Sequence, residues 1–266
     1  MNKMLLVIAG LGIASSLPLA ATAEQMGQSA QPGYPRVLRT DTSWSGFYAG
    51  LNLGGGFGNN SIVTTGQVTA NVNNVNGGAR TPLTSVDRSG IIGGGQIGYD
   101  HQFQHFVLGL ETDLAGTGIS GQRTVVTTAL TGGASLNNTF SSNLKSLGTV
   151  RGRVGLAAGR VLFYGTGGLA YGSTESSANF FGPSPTNVLQ FTANNSSMST
   201  GYAVGGGAEY KMARHLSTKA EYLYYKLEDQ TLNVAVIAGS GGGGTGYNTT
   251  FQSKGNVLRL GANYRF

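Results

Sequence analysis

The chain of 266 residues has no cysteine. Disulfides therefore cannot hold it together, and an exported protein without them must be stabilised by other means. Charge is scarce as well. Asp, Glu, Lys and Arg make up 11 % of the chain, against about a quarter in an ordinary soluble domain. There are only six prolines, beside 45 glycines; this is neither a collagen-like nor a proline-rich linker protein. Beyond the amino-terminal segment no apolar run resembles a membrane helix, because glycine and polar residues interrupt each one. The net charge is +6, but the bases are scattered with no Lys/Arg run. That dispersal argues against nucleic acid as a partner.

The amino terminus has a recognisable targeting pattern. Lys3 precedes an apolar run from Met4 to Ala14, followed by Pro18 and the small-residue stretch Ala21-Thr22-Ala23. This is the layout of a cleaved signal peptide over residues 1–23, leaving Glu24 as the first mature residue. The alternative, a membrane anchor, is disfavoured because the run is too short to span a bilayer. Residues 24–43 are polar, contain Pro32 and Pro35, and show no periodicity; they are expected to form a flexible segment. A single β domain is expected over 44–266.

Within that domain apolar residues recur with a period of two, the period of a strand. In the last stretch Leu258, Leu260, Ala262, Tyr264 and Phe266 share one face, while Arg259 and Arg265 lie on the other. The same design recurs at 47–57, 90–100, 106–118, 144–156, 161–172, 201–212 and 216–227. In 161–172 both registers are apolar, and the set Val161, Phe163, Leu169 and Tyr171 is preferred as the outward one. The connections alternate between short (101–105, 157–160, 213–215) and long (59–88, 119–143, 173–198, 228–254), the long ones rich in Thr, Ser, Asn and Gly. A soluble sandwich would not show that asymmetry. Aromatic residues also mark the strand ends, as two interfacial girdles require. Only helices or closed barrels satisfy every backbone group in a bilayer. The expectation is an all-β fold: an eight-stranded antiparallel transmembrane up-and-down β-barrel, with its short turns on the periplasmic side.

Eight strands enclose a lumen that side chains can fill. The residues expected inside are Glu111, Asp113, Lys145, Arg151, Arg153, Glu209, Lys211, Lys219, Glu221, Arg259 and Arg265. Buried charges persist when paired and hydrogen-bonded. An ion-pair network plugging the lumen is therefore expected, with Arg259 directed at Glu111, Asp113 or Glu221. A proton-transfer site is the competing reading of the same residues. The triplets Gly93-Gly94-Gly95 and Gly205-Gly206-Gly207 are expected to relieve crowding in a tightly curved wall.

Motifs for chemistry are weak. Gly239-x-Gly241-x-x-Gly244 matches a dinucleotide fingerprint, but no βαβ pattern surrounds it. The three histidines, His101, His105 and His215, fall in the short connections, away from where a barrel hydrolase would need one. No metal-ligand spacing is present. For haem the long connections offer Met198 and Tyr247 but no histidine. No catalytic, cofactor-binding or metal residue is assigned, and the protein is not expected to be an enzyme.

Four segments carry a family resemblance: Trp44 to Gly54, Ile92 to Tyr99, Gly148 to Gly155, and Lys219 to Tyr225. Together they resemble the small outer-membrane β-barrel family typified by outer-membrane immunogenic proteins, with an OmpA-like eight-stranded barrel. The end Tyr264-Arg265-Phe266 is similar to the terminal signal read by the outer-membrane assembly machinery, with Tyr264 and Phe266 as its aromatic positions. The resemblance covers the strands from Trp44 to Phe266 and fails in the connections. It implies a Gram-negative outer membrane, with lipid, lipopolysaccharide and the assembly machinery as partners, and a host or surface ligand for the loops. Relatives are described as porin-like, as surface antigens or adhesins, or as haemin binders; none of their site residues match here. The expected function is structural and surface-interacting: envelope integrity, with antigen- or adhesin-like loops. The alternatives are a narrow porin-like channel for small solutes and a haemin-binding surface receptor. Oligomeric state does not follow from the sequence.

Overall fold

The structure, a computed structural model, describes residues 43–266. The expected signal peptide and nearly all of the 24–43 segment lie outside the described residues. Eight strands follow in order: β1 Gly46–Gly66, β2 Leu83–Phe103, β3 Phe106–Thr128, β4 Ser135–Ala158, β5 Val161–Pro183, β6 Leu189–Lys211, β7 Leu216–Val236 and β8 Gly246–Arg265. One short helix, α1 Thr69–Asn76, lies between β1 and β2. Each strand pairs antiparallel with its sequence neighbour, and β8 pairs with β1 to close the barrel. The seam is held to the last residue, where the Phe266 amide donates to the Phe47 carbonyl at 3.0 Å.

The strands reach from 20 to 24 residues, about twice the expected length. The long polar tracts are therefore not loops. They are the upper halves of the strands, and the remaining connections at that end shrink to 67–82, 129–134, 184–188 and 237–245. At about 3.3 Å per residue and a tilt near 40°, the wall rises roughly 50–60 Å, about twice an outer-membrane apolar band of ~25 Å.

The wall has two halves with opposite patterning. In the lower half, towards the short turns, the outward residues are apolar: Leu53, Ile91, Leu110, Phe163, Leu169 and Leu260 are each at least 60 % exposed. Inward, charged and polar residues such as Asn52, Glu111 and Arg259 alternate with glycines and with buried apolar residues such as Ile92, Leu162 and Ala170. In the upper half, the rim, the inward residues are apolar (Ile62, Val86, Phe140, Phe180, Val234, Phe251) and the outward ones are Thr, Ser and Asn. Cross-strand threonine pairs, Thr124 with Thr139 at 3.0 Å and Thr231 with Thr250 at 2.9 Å, line this outer surface. The physical cause is the solvent on the outside. Lipid selects an apolar exterior and water a polar one, and the interior takes the complement.

Candidate functional site in the barrel interior

The lower lumen holds a closed set of charges. Five carboxylates (Asp100, Glu111, Asp113, Glu209, Glu221) face five bases (Arg151, Arg153, Lys219, Arg259, Arg265), all buried. Strand register brings them together, since Glu111 lies opposite Arg151, Glu209 opposite Lys219 and Glu221 opposite Arg259.

The set forms two connected clusters. In the upper one Arg151 reaches three acids: Glu111 at 2.6 Å, Asp113 at 2.9 Å and Glu221 at 3.2 Å. Arg259 bridges Glu221 at 2.6 Å and Asp113 at 3.0 Å. Lys219 lies 2.8 Å from Glu111. In the lower cluster Arg153 pairs with Glu209 at 2.5 Å and Arg265 with Asp100 at 2.9 Å. Neutral groups satisfy the remaining lone pairs. Thr149 donates to Asp113 at 2.6 Å, Ser217 and Asn263 donate to Glu209 at 2.6 and 3.0 Å, and Tyr164 donates to Glu221 at 3.0 Å. The Arg153 guanidinium also lies over the Tyr164 ring, 3.9 Å from its centroid.

Glycines make room for these side chains. Gly168 lies opposite Arg151, and a Cβ there would stand 2.7 Å from the Arg151 Cα. Gly54 lies opposite Arg259 and would put a Cβ 2.7 Å from its Cβ.

Two residues of the expected interior set do not join this network. Lys145 is not inside. The β4–β5 register shifts between Leu144 and Ser146. That extra residue moves the inward parity from odd numbers (Thr149, Arg151, Arg153) to even ones (Phe140, Ser142, Leu144). Lys145 therefore turns outward, where it pairs with Glu175 at 3.0 Å, both half-exposed. Lys211 is buried, but at the lower mouth, where its Nζ donates to the Ser43 carbonyl and lies 4.9 Å from the Trp44 ring. Sequence reasoning missed Asp100, whose alternation with the outward Ile97 and Tyr99 was the available signal. It also missed Tyr48 and Trp44, buried rings on which the Arg265 guanidinium lies.

Above the charges the lumen holds two apolar layers, with buried polar residues such as Asn60, Arg88, Ser142 and Ser253 between them. Ile92, Ile119, Leu147, Leu223, Tyr225 and Val257 form a middle plug. Higher still, Phe140, Phe180, Phe191, Tyr247 and Phe251 meet with ring centroids 5.0–6.4 Å apart, mostly edge-on. The helix α1 covers this layer, with Val75 in the cluster. Asn71 fastens the helix to the last rim connection: its Nδ2 donates to the Gly243 carbonyl at 3.0 Å and its Oδ1 accepts from the Thr245 amide at 3.2 Å. Arg80 lies over the Phe180 and Phe191 rings at 5.4 and 5.8 Å and donates to Asn138 and Gln190. Burial pulls the Arg80 pKa below its ordinary value, against the opposing effect of Tyr247.

The remaining candidates are dispersed. Tyr247 is fully buried in the aromatic layer, and its hydroxyl accepts from Asn74 at 3.2 Å, while Met198 faces outward; the two do not converge. His215 at the short-turn end donates from Nδ1 to the Arg265 carbonyl at 2.8 Å and stacks on Tyr264, 5.6 Å between centroids. Tyr264 and Phe266 are on the outer face with ring centroids 5.3 Å apart.

Residues 9–266 match the family described as outer membrane protein beta-barrel domain. The 31 kDa outer-membrane immunogenic protein of Brucella melitensis biotype 1 is 32 % identical over 243 residues, covering 89 % of this chain and 90 % of the relative. The 22 kDa outer membrane protein of Rhizobium leguminosarum bv. viciae is 33 % identical over 177 residues, 65 % of this chain and 66 % of the relative. Among solved structures, the outer membrane protein OprG from Pseudomonas aeruginosa superposes with a TM-score of 0.46 at 15 % identity, covering 84 % of this chain and 96 % of that one.

Proposed function

The chain belongs to the outer membrane protein beta-barrel domain family, and from that premise we propose that it acts in the outer membrane as a sealed structural barrel whose rim is a surface for interaction. The observation that carries this reading is the filling of the lumen at three successive levels: the ion network, the apolar plug and the aromatic layer under α1. A solute would have to disrupt all three, so the barrel serves as a brace rather than a conduit. The short-turn end faces the periplasm, and the rim stands clear of the lipid on the outside.

The outer wall supports the second half of the reading. Above the apolar band a shallow polar groove of about 450 Å³ runs across β4, β5 and β6, bordered by Ser141, Asn143, Glu175, Ser177, Asn194 and Ser196. Its hydroxyl and amide groups suit the sugars of lipopolysaccharide or of a facing cell surface. The immunogenic relative is in keeping with an exposed rim. At the other end the outward rings of Tyr264 and Phe266 suit recognition by the assembly machinery.

Planar-bilayer recording of the purified, folded protein tests this function. The expected result is an absence of stable conductance steps. Reproducible unitary conductance would overturn the sealed-barrel reading in favour of a narrow channel.

A further inference from the structure

Two buried guanidiniums among the described residues lack a carboxylate: Arg80, which lies on the Phe180 and Phe191 rings, and Arg88. Arg88 of β2 points inward on the rim side of the plug residue Ile92 and is 2 % exposed. Its Nη1 donates to the Ser142 hydroxyl at 3.2 Å and its Nη2 to the Lys254 carbonyl at 3.4 Å, both neutral acceptors. Its Nε has no acceptor from the protein. The adjacent acid, Asp87, is on the outer face, where it accepts from Asn59 at 2.6 Å. Among the described residues no carboxylate lies within 4.0 Å of Arg88. Each of the four arginines of the ion network has at least one.

Two further buried donors on the same wall are unpartnered by protein: Asn60 Nδ2 and Ser253 Oγ. The β1–β8 register is the same at Phe57↔Asn256 and Ile62↔Phe251. It therefore brings Asn60 level with Ser253 across a break in the β1–β8 pairing, both facing in. On the other side Asn60 pairs with Val86 and Gly58 with Arg88, so Arg88 is the diagonal neighbour of Asn60 on β2. Lys254 links them, because its amide donates to Asn60 Oδ1 at 3.2 Å and its carbonyl accepts from Arg88. The wall behind is cationic too: Lys226 and Lys254 stand opposite each other in the β7–β8 pair, and neither is in an ion pair.

A buried charge with only neutral acceptors, beside two buried donors without any, carries a desolvation cost that an enclosed anion removes. Space is tight. A Cβ on Gly58 would stand 2.8 Å from the Lys254 carbonyl oxygen, and one on Gly121 would stand 2.9 Å from Arg88 Cγ. That crowding favours a small spherical ion over a tetrahedral oxyanion, and the single uncompensated guanidinium favours one negative charge. We infer that Arg88, Asn60 and Ser253 bind a halide-sized monovalent anion inside the wall formed by β8, β1 and β2.

Crystals grown in sodium bromide give the direct test by anomalous diffraction. The expected result is one enclosed bromide within contact of Arg88 Nε. In solution, the folded protein in sodium gluconate should gain resistance to urea as chloride replaces gluconate at constant ionic strength, and the gain should saturate. Arg88→Met should abolish that dependence. Asn60→Ala or Ser253→Ala, each removing one donor to a charged partner, should weaken halide affinity by about tenfold. These milder variants keep the test open if Arg88→Met fails to fold. Bromide confined to surface lysines with water beside Arg88, or the same saturable chloride response in the Asn60 and Ser253 variants, would overturn the inference.

Discussion

Tyr48 and Glu111, 63 residues apart, meet where the two charge clusters join. The Tyr48 hydroxyl donates to Glu111 Oε2 at 2.8 Å and accepts from Arg153 Nη1 at 3.1 Å. Glu111 belongs to the upper cluster and Arg153 to the lower, and their own separation is 3.8 Å. A neutral phenol is thus the closest link between them. Tyr164 of β5 adds a second link, donating to Glu221 while Arg153 lies on its ring, so aromatic residues with polar tips make the lumen charges one network.

Tyr48→Phe should therefore weaken the coupling of the clusters while keeping the ring in place. A loss of about 1–3 kcal/mol is expected, the cost of leaving buried polar groups without their partner. Urea unfolding of the detergent-folded barrel measures it, and the faster gel migration of unheated protein should survive. In a double-mutant cycle Tyr48→Phe and Glu111→Gln should couple by more than 0.5 kcal/mol. Additive effects would contradict the link.

Arg151 answers for three carboxylates, so its removal should be the most damaging single change in the lumen. Arg151→Met leaves Glu111, Asp113 and Glu221 short of one cation, and about 3–5 kcal/mol of destabilisation is expected. Adding Glu221→Gln removes one of those negative charges and should recover part of the loss. A double variant less stable than Arg151→Met alone would mean that the charges are not acting as a balanced set.

The lower half of the barrel was legible in the sequence because lipid imposes a strong rule there. Leu258, Leu260 and Tyr264 outside, with Arg259 and Arg265 inside, can hardly be read another way. The upper half was obscured by the same rule. There the outward residues are Thr, Ser and Asn, and their composition imitates a loop; the signal was the isolated inward residue at every second place, as in Leu136, Asn138 and Phe140. Lys145 was misplaced because a bulge changes parity without leaving a mark in composition. Arg88 was invisible for a related reason, since the tract 59–88 had been assigned to a connection.

Arg80 should act as a clasp on the rim and not as part of the membrane-embedded barrel. It joins the α1 connection to β4, β5 and β6 through Asn138, Phe180, Phe191 and Gln190. Arg80→Leu should speed proteolysis within residues 67–82 severalfold, in line with a cation–π loss of about 1 kcal/mol. The gel shift should be unaffected. Arg80→Lys should restore only part of the protection, since an ammonium lacks the planar fork that serves two acceptors. Unchanged cleavage in both variants would mean that Asn71, Asn74 and Val75 hold α1 without help from Arg80.

The inversion of pattern between the two halves predicts opposite outcomes for one kind of substitution. Leu260 is 67 % exposed, but to lipid. Leu260→Lys should cost about 2–4 kcal/mol, the penalty for a cation near the middle of the bilayer. Thr231→Lys places the same charge on the outer face of the same sheet at rim height, where Thr231 meets only Thr250 at 2.9 Å. Water is the solvent there, and the change should fall within about 0.5 kcal/mol. Phe251→Lys, on the inner face at the same height, should be as harmful as Leu260→Lys, because Phe251 is 2 % exposed against Phe140 in the aromatic layer. Unfolding free energies of the three variants in lipid vesicles make the comparison. If Thr231→Lys proved as costly as Leu260→Lys, the apolar band would have to extend over the rim, and the division of the barrel into a lipid-facing half and a water-facing half would fail.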